Sequence, residues 1–420
     1  MVIMAGNIIR RAIVDKVIPY LYTEDIIVFH GARQVGKTFL LRYLEEYLRA
    51  KKEAVYYIDL EDSRYLKILD AGYEQFLLHL REEGFDITKR VFVFVDEIQY
   101  LQEPSSFMKL VADHHKNVKL IVSGSSSFEI KSKFKDSLVG RTIEFEMFNL
   151  SFDEFLLFKG HPPIQGRSAG MTAKKIDELR GLYKEYVLYG GYPKVVLADA
   201  VAHKEAYLQQ IIDTYLKKDI RDLAVIKDIG KFNSLLEVLA SQSGQILNVT
   251  ELSNTCKIAK QTVERYLFIM ENTYILKLVR PYSKNIRSEI FKAPKIFFYD
   301  SGLMQMLWLK STQKEMIGTV FETSVFSELV KRYAKDSVYY WRTMDKKEID
   351  FILRIKNDVF PIEVKLNFQG FNPAAIKYFM EKYGVEDYGV AGLSGDKKNR
   401  YYVYPWELSF GEFRGQFTQL

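Results

Sequence analysis

Gly31-Ala32-Arg33-Gln34-Val35-Gly36-Lys37-Thr38 has the spacing G-x-x-x-x-G-K-[ST] of a phosphate-binding loop. Glycines let the backbone close around phosphate oxygens, so that successive N–H groups from Gly31 to Phe39 point at the anion. The helix that follows adds free N–H donors and its positive dipole end. Lys37 is expected to reach the β- and γ-phosphates, and Thr38 to place its hydroxyl on Mg²⁺. Further along, Asp96-Glu97 closes an apolar run. The aspartate is placed to hold Mg²⁺ and the glutamate to polarise an attacking water, unless both merely cap the next helix. Near the C-terminus, Asp350 precedes Glu363-Val364-Lys365 by one hairpin. Alternation along a strand puts Glu363 and Lys365 on one face. Two carboxylates beside a lysine can bind Mg²⁺ or Mn²⁺ while the lysine positions water.

Elements must bring these groups together. Asp25–His30 is an apolar run of strand length, and Phe39–Leu44 continues with helical spacing, which is the strand–loop–helix setting the phosphate loop requires. Val91–Val95 and Leu120–Val122 are continuous apolar runs, as in strands of a parallel sheet buried on both faces. The second ends at Ser123-Gly124-Ser125-Ser126-Ser127. There Ser123 or Ser125 can sense the γ-phosphate or the water, and Ser126 or Ser127 can cap a helix. Arg141 is expected either to stabilise transition-state charge, in cis or in a neighbouring subunit, or to form an ordinary ion pair. Residues 8–22 carry Ile9, Ile13, Val17 and Leu21 at helical spacing. Helices are expected over about 173–188, 201–219 and 231–242.

Bulk properties narrow the class. At 420 residues the chain exceeds one ordinary domain, and its 48% hydrophobic and 27% charged residues are those of a globular protein. The single cysteine, Cys256, excludes an intramolecular disulfide framework and fits a reducing cytoplasm. No apolar run approaches the roughly 18 residues of a membrane span. A net charge of +6 permits a nucleic-acid partner without requiring one.

The phosphate loop, Asp96-Glu97, Leu138-Val139-Gly140-Arg141 and Phe148-Asn149-Leu150-Ser151-Phe152-Asp153-Glu154-Phe155 together resemble a prokaryotic AAA-type ATPase family whose members carry a C-terminal domain of unknown function. Asn149 stands where that family has proline. Gly190-Gly191-Tyr192-Pro193 and Tyr215-Leu216-Lys217-Lys218-Asp219-Ile220 resemble further signatures of it. The resemblance implies a five-stranded parallel sheet with ATP at its C-terminal edge. Asp350 and Glu363-Val364-Lys365 resemble the PD-(D/E)XK nuclease core; Gly318-Thr319-Val320-Phe321-Glu322 then supplies its helix acid, with Glu328 as the alternative.

The expected architecture is α/β. A P-loop core occupies 1–155, a helical lid 156–242, a winged helix 243–290 and a nuclease-like domain 291–420. In the winged helix, Lys260, Gln261 and Glu264 face outward, where DNA or a protein is met. The reading is an ATP-hydrolysing switch or motor acting on DNA. Its alternatives are an ATP-gated nuclease and a scaffold that recruits a protein partner. Homo-oligomerisation is left open.

Overall fold

The protein is described from a computed structural model covering residues 8–124, 138, 140–164, 170–214, 226, 228–284, 292–333 and 335–409. The Ser125–Ser127 alternatives and the signature at 215–220 lie outside the described residues. The chain forms two compact units, 1–149 with 272–274, and 150–271 with 275–420.

In the first unit, β1 (Ile26–Gly31), β2 (Ala54–Asp59), β3 (Val91–Asp96), β4 (Val118–Gly124) and β5 (Thr142–Met147) form one sheet in the order β2-β3-β4-β1-β5. Every pairing is parallel. Strands β1, β3 and β4 are buried along their whole lengths. That is why their sequences are unbroken apolar runs rather than alternating ones. Helix α1 covers only Ile13–Val17, followed by a 3₁₀ turn at Ile18–Tyr20. The longer helix expected over 8–22 fails at both ends. Pro19 has no N–H to continue the ladder, and Arg11 lies in non-helical backbone with a buried side chain. Helices α2 (Lys37–Ala50), α3 (Ser63–Asp70), α4 (Tyr73–Glu82) and α5 (Pro104–His114) also belong to the unit.

The second unit begins with α6 (Phe152–Phe158), α7 (Ala173–Tyr189), α8 (Pro193–Val196), α9 (Val201–Ile211) and α10 (Ile229–Ser241). Next come α11 (Val249–Cys256), α12 (Lys260–Asn272) and an antiparallel pair, β6 (Leu276–Val279) with β7 (Lys295–Phe298). After α13 (Ser301–Leu309) and α14 (Gly318–Tyr333), a mixed sheet is built from β8 (Val338–Arg342), β9 (Glu348–Ile355), β10 (Asp358–Asn367), β11 (Gly389–Ser394) and β12 (Tyr402–Val403), with α15 (Ala374–Tyr383) between β10 and β11. Its order is β12-β11-β10-β9-β8. Among the described residues no helix is long and apolar enough to cross a membrane.

The family-like motifs of this unit interlock. Ser151 and Glu154 form a capping box at the start of α6. The Phe152 N–H donates to the Glu328 carboxylate at 3.2 Å, and Arg332 pairs with Asp153 at 3.0 Å. Gly191 receives the Leu150 N–H on its carbonyl (2.7 Å) and donates its own N–H to Asp300 (2.8 Å). Gly190 has φ +77°, and a Cβ there would lie 2.1 Å from Asp300 Oδ1. The double glycine therefore exists for close approach.

Lys119 at the start of β4 is 2% exposed, and its ammonium donates to the Thr23 carbonyl at 3.1 Å and to the carbonyl of Asp25. Burial, helped by Arg90, lowers its pKa to about 8. The unfolded chain therefore binds more protons than the fold above that pH, so this group makes stability rise with pH until the unfolded lysine also titrates. We expect wild-type unfolding free energy, measured by urea titration, to gain about 3 kcal/mol relative to Lys119→Met between pH 8 and 10.5.

Candidate functional site

The phosphate loop leaves β1 through Gly31, whose φ is +155°. A Cβ there would fall 2.0 Å from the Met147 carbonyl oxygen on β5. Gln34 (φ +61°) and Gly36 (φ +100°) then take left-handed conformations that turn the chain into α2. Lys37 is 5% exposed; its Nζ donates to the carbonyls of Ala32 (2.8 Å) and Gly31 (3.2 Å), so the ammonium lies against the loop. Thr38 and Phe39 follow in the exposed first turn of α2. Behind the loop, Arg11 donates to the carbonyls of Val35 (2.6 Å) and Phe148 (3.0 Å). This brace, which ties the loop to the residue after β5, has no signature in the local sequence.

Registers Phe29↔Ser123 and Val95↔Val122 place the ends of β1, β4 and β3 at one edge of the sheet. Asp96 is 2% exposed there. One of its oxygens accepts from Tyr57 Oη at 2.9 Å and the other from Ser123 Oγ. Ser123 also accepts the Glu97 N–H at 3.3 Å, so one hydroxyl links both acids. Glu97 has left-handed backbone (φ +56°), and its carboxylate accepts from the Gln99 side-chain amide. Asp59 lies opposite Asp96 in register. Burial, with the charges of Asp59 and Glu97, raises the pKa of Glu61 beside them. No lysine or arginine pairs with Asp96 among the described residues; its partners are neutral hydroxyls. An unneutralised, buried carboxylate of this kind fits a divalent cation.

Two further groups were not foreseen. His30, just before the loop, meets Tyr274 Oη through Nδ1 at 2.7 Å and Glu144 through Nε2 at 3.3 Å. Tyr274 in turn donates to Glu146 at 2.9 Å. Arg141, by contrast, is not brought to the phosphate loop. It precedes Thr142, which pairs with Ile26 at the start of β1, and it is ion-paired with Asp113 at 2.6 Å. A role in cis is corrected on that register: the residue stands at the opposite edge of the sheet.

In the second unit, the register Ile362↔Phe351 carries Asp350 beside Glu363. Lys365 Nζ lies 2.8 Å from Glu363, 3.2 Å from Asp350 and 3.0 Å from the Val364 carbonyl. Burial raises the Glu363 pKa to about 9, with the Asp350 charge adding to it. For Asp350 burial also acts upward, but Lys365 holds it below the usual range. Burial and Asp350 push Glu322 to about 8. The nearest cation to Glu322 is Lys295 at 3.8 Å, and its Oε1 is buried without a hydrogen bond. Lys295, itself buried, pairs with Glu348 at 2.5 Å; neither was singled out in the sequence. Among the described residues no group of three or more His, Cys, Asp or Glu is disposed to hold a metal ion. Glu322 stands near enough to Asp350 for that charge to act on it, with Lys295 and Lys365 acting the other way. Glu328, the alternative helix acid, is spent on Phe152 and Tyr186.

Residues 23–156 match the family model described as "AAA domain". That stretch is similar to an AAA domain. Residues 180–314 and 317–413 match two families each described as a domain of unknown function, DUF8612 and DUF4143. An uncharacterized protein of Haemophilus influenzae is 27% identical over 84% of this chain and 86% of its own. One of Methanocaldococcus jannaschii is 26% identical over 83% and 75%. Among solved structures, AMPPCP-bound DnaA from Aquifex aeolicus covers 64% of this chain and 89% of its own at 16% identity, with a TM-score of 0.27. PCH-2 of C. elegans covers 60% and 64% at 16% identity, with a TM-score of 0.26. Overlaps this loose do not bear on function.

Losing the brace behind the loop should loosen the phosphate cradle. Arg11→Met is expected to weaken binding of a fluorescent ATP analogue about tenfold, since it leaves the Val35 carbonyl without its charged donor.

Proposed function

We propose that the protein is a Mg²⁺-dependent ATP phosphohydrolase that works as a nucleotide-driven switch or motor for its C-terminal half. The observation that carries this reading is the Ser123 hydroxyl, which ties Asp96 and Glu97 together at the sheet edge where the phosphate loop begins. Backbone N–H groups of the loop bind the phosphate oxygens, and Lys37 turns from the Gly31 and Ala32 carbonyls to the β- and γ-phosphates. Thr38 and Asp96 would hold the Mg²⁺, which supplies charge neutralisation at the phosphates when bound. Glu97 accepts a proton from water as that oxygen bonds to the γ-phosphorus. The bond from phosphorus to the bridging oxygen breaks, leaving ADP and phosphate. Gln99 and the Ser123 contact orient Glu97 for this step.

Glu97→Gln should bind ATP as tightly as wild type while hydrolysis falls by roughly 10²–10⁴-fold, with Lys37→Ala as the blank. A Glu97→Gln protein that turns over ATP at the wild-type rate would remove Glu97 from the base role.

A second reading concerns the second unit. Asp350, Glu363 and Lys365 stand together on adjacent strands, as cleavage of a phosphodiester with Mg²⁺ or Mn²⁺ needs. Lys260, Gln261 and Glu264 are exposed on α12, and the succession of α11, α12 and the antiparallel β6–β7 pair supports a winged-helix reading, in which such residues would meet DNA. We expect double-stranded DNA to raise ATP turnover several-fold. Asp350→Ala should abolish any Mn²⁺-dependent cleavage of that DNA while ATP turnover is retained. Turnover indifferent to DNA, with no cleavage, would favour a scaffold that recruits a protein in the cytoplasm.

A further inference from the structure

Helix α2 opens with the two side chains that meet the phosphates and the cation, Lys37 and Thr38, and one turn later presents Arg42. The Arg42 guanidinium lies over the ring of Tyr57, 3.3 Å from its centroid, and is fixed from its other side by Glu45 at 2.9 Å. Tyr57 stands on β2, next to β3, and its hydroxyl reaches Asp96 Oδ2 at 2.9 Å. The other Asp96 oxygen is taken by Ser123 from β4. The carboxylate is thus clasped from both neighbouring strands, and its plane is set by two hydroxyls on opposite sides. Without the β2 clasp, Asp96 could turn about its side-chain bonds on the Ser123 contact alone. The ring also stacks on Phe94, which keeps the hydroxyl on one bearing.

We propose that Tyr57 is the positioning residue that orients Asp96 for the divalent cation, and that Arg42 holds Tyr57 in place, so that α2 and the Asp96 carboxylate are linked through one stacked ring. The role rests on the hydrolytic reading above. It is one of position: Tyr57 touches neither nucleotide nor water, and it acts by fixing the ligand that does the binding. A purely structural tyrosine would affect folding and nucleotide affinity alike. A positioning tyrosine affects the response to Mg²⁺ alone.

The test uses the full chain and a fluorescent ATP analogue, titrated in EDTA and then across a Mg²⁺ series, with ATP hydrolysis followed over the same series. Tyr57→Phe removes one oxygen and keeps the ring. Its affinity in EDTA should equal wild type, while the Mg²⁺ concentration giving half-maximal tightening and half-maximal hydrolysis should rise about tenfold, the effect expected for losing a hydrogen bond to a charged group. Arg42→Met, which leaves the hydroxyl and removes the stack, should raise the same midpoint about two- to threefold. It carries the test should Tyr57→Phe fold poorly. An unchanged or lower Mg²⁺ midpoint in the folded variant overturns the inference and leaves the hydrolytic reading standing. A wild-type protein whose nucleotide affinity and turnover ignore Mg²⁺ overturns both.

Discussion

The first unit depends on how closely two strands can meet at one point. Where β1 ends, the chain must leave the sheet and wrap back on itself, with β5 still paired alongside at Gly31↔Met147. A Cβ at Gly31 would sit 2.0 Å from the Met147 carbonyl oxygen, so the loop and the β1–β5 pairing can coexist only because this residue has no side chain. Everything chemical in the unit follows from that exit. The Ala32 and Gly31 carbonyls that receive Lys37 belong to it, and Arg11 braces the Val35 carbonyl from behind. The remaining acids arrive by the same geometry. All five strands are parallel, so their C-terminal ends fall on one edge, and the groups at the ends of β3 and β4 meet without any special device.

In the second unit several carboxylates serve the packing itself. Asp300 caps α13 through the Leu303 N–H and holds the Gly191 N–H, and Glu328 takes the Phe152 N–H and the Tyr186 hydroxyl. These acids satisfy buried backbone donors that would otherwise lose their hydrogen bonds to water at a cost of about 1–3 kcal/mol each. The motifs around Ser151, Gly190 and Asp300 are therefore explained by mutual packing. Their sequence regularity does not require that they touch nucleotide.

What the sequence disclosed follows sequence separation. The phosphate loop and the Asp96-Glu97 pair are contiguous, and β1, β3 and β4 are unbroken apolar runs, so all were legible. The supports were not. Tyr57 reaches Asp96 across 39 residues, Arg11 reaches Val35 across 24, and Tyr274 reaches His30 across 244. Periodicity alone extended α1 past Pro19, because a hydrophobic pattern does not register a missing N–H. The choice between Glu322 and Glu328 needed the rotation of α14: six residues apart, the two acids face different ways, and only the fold shows which one nears Asp350. Arg141 looked available because its partner Asp113 lies 28 residues earlier, in α5, and its edge of the sheet is set by register.

The two acidic sites resolve the same electrostatic problem in opposite ways. Burying a carboxylate is costly unless its charge is met. Asp96 is 2% exposed, yet the groups that hold it are hydroxyls, which donate hydrogen bonds without adding positive charge. Among the described residues no ammonium or guanidinium pairs with it, and the charges of Asp59 and Glu97 weigh on Glu61 nearby. At the mixed sheet the demand is answered from within. Lys365 lies among Asp350, Glu363 and the Val364 carbonyl, the same oxygens that a cation would use, and Lys295 answers Glu348. A divalent ion there must compete with a tethered ammonium, whereas at Asp96 the competitors among the described residues are the neutral hydroxyls of Tyr57 and Ser123. That difference in built-in counter-charge, more than any count of acids, is why the nucleotide site carries the stronger case for a bound metal.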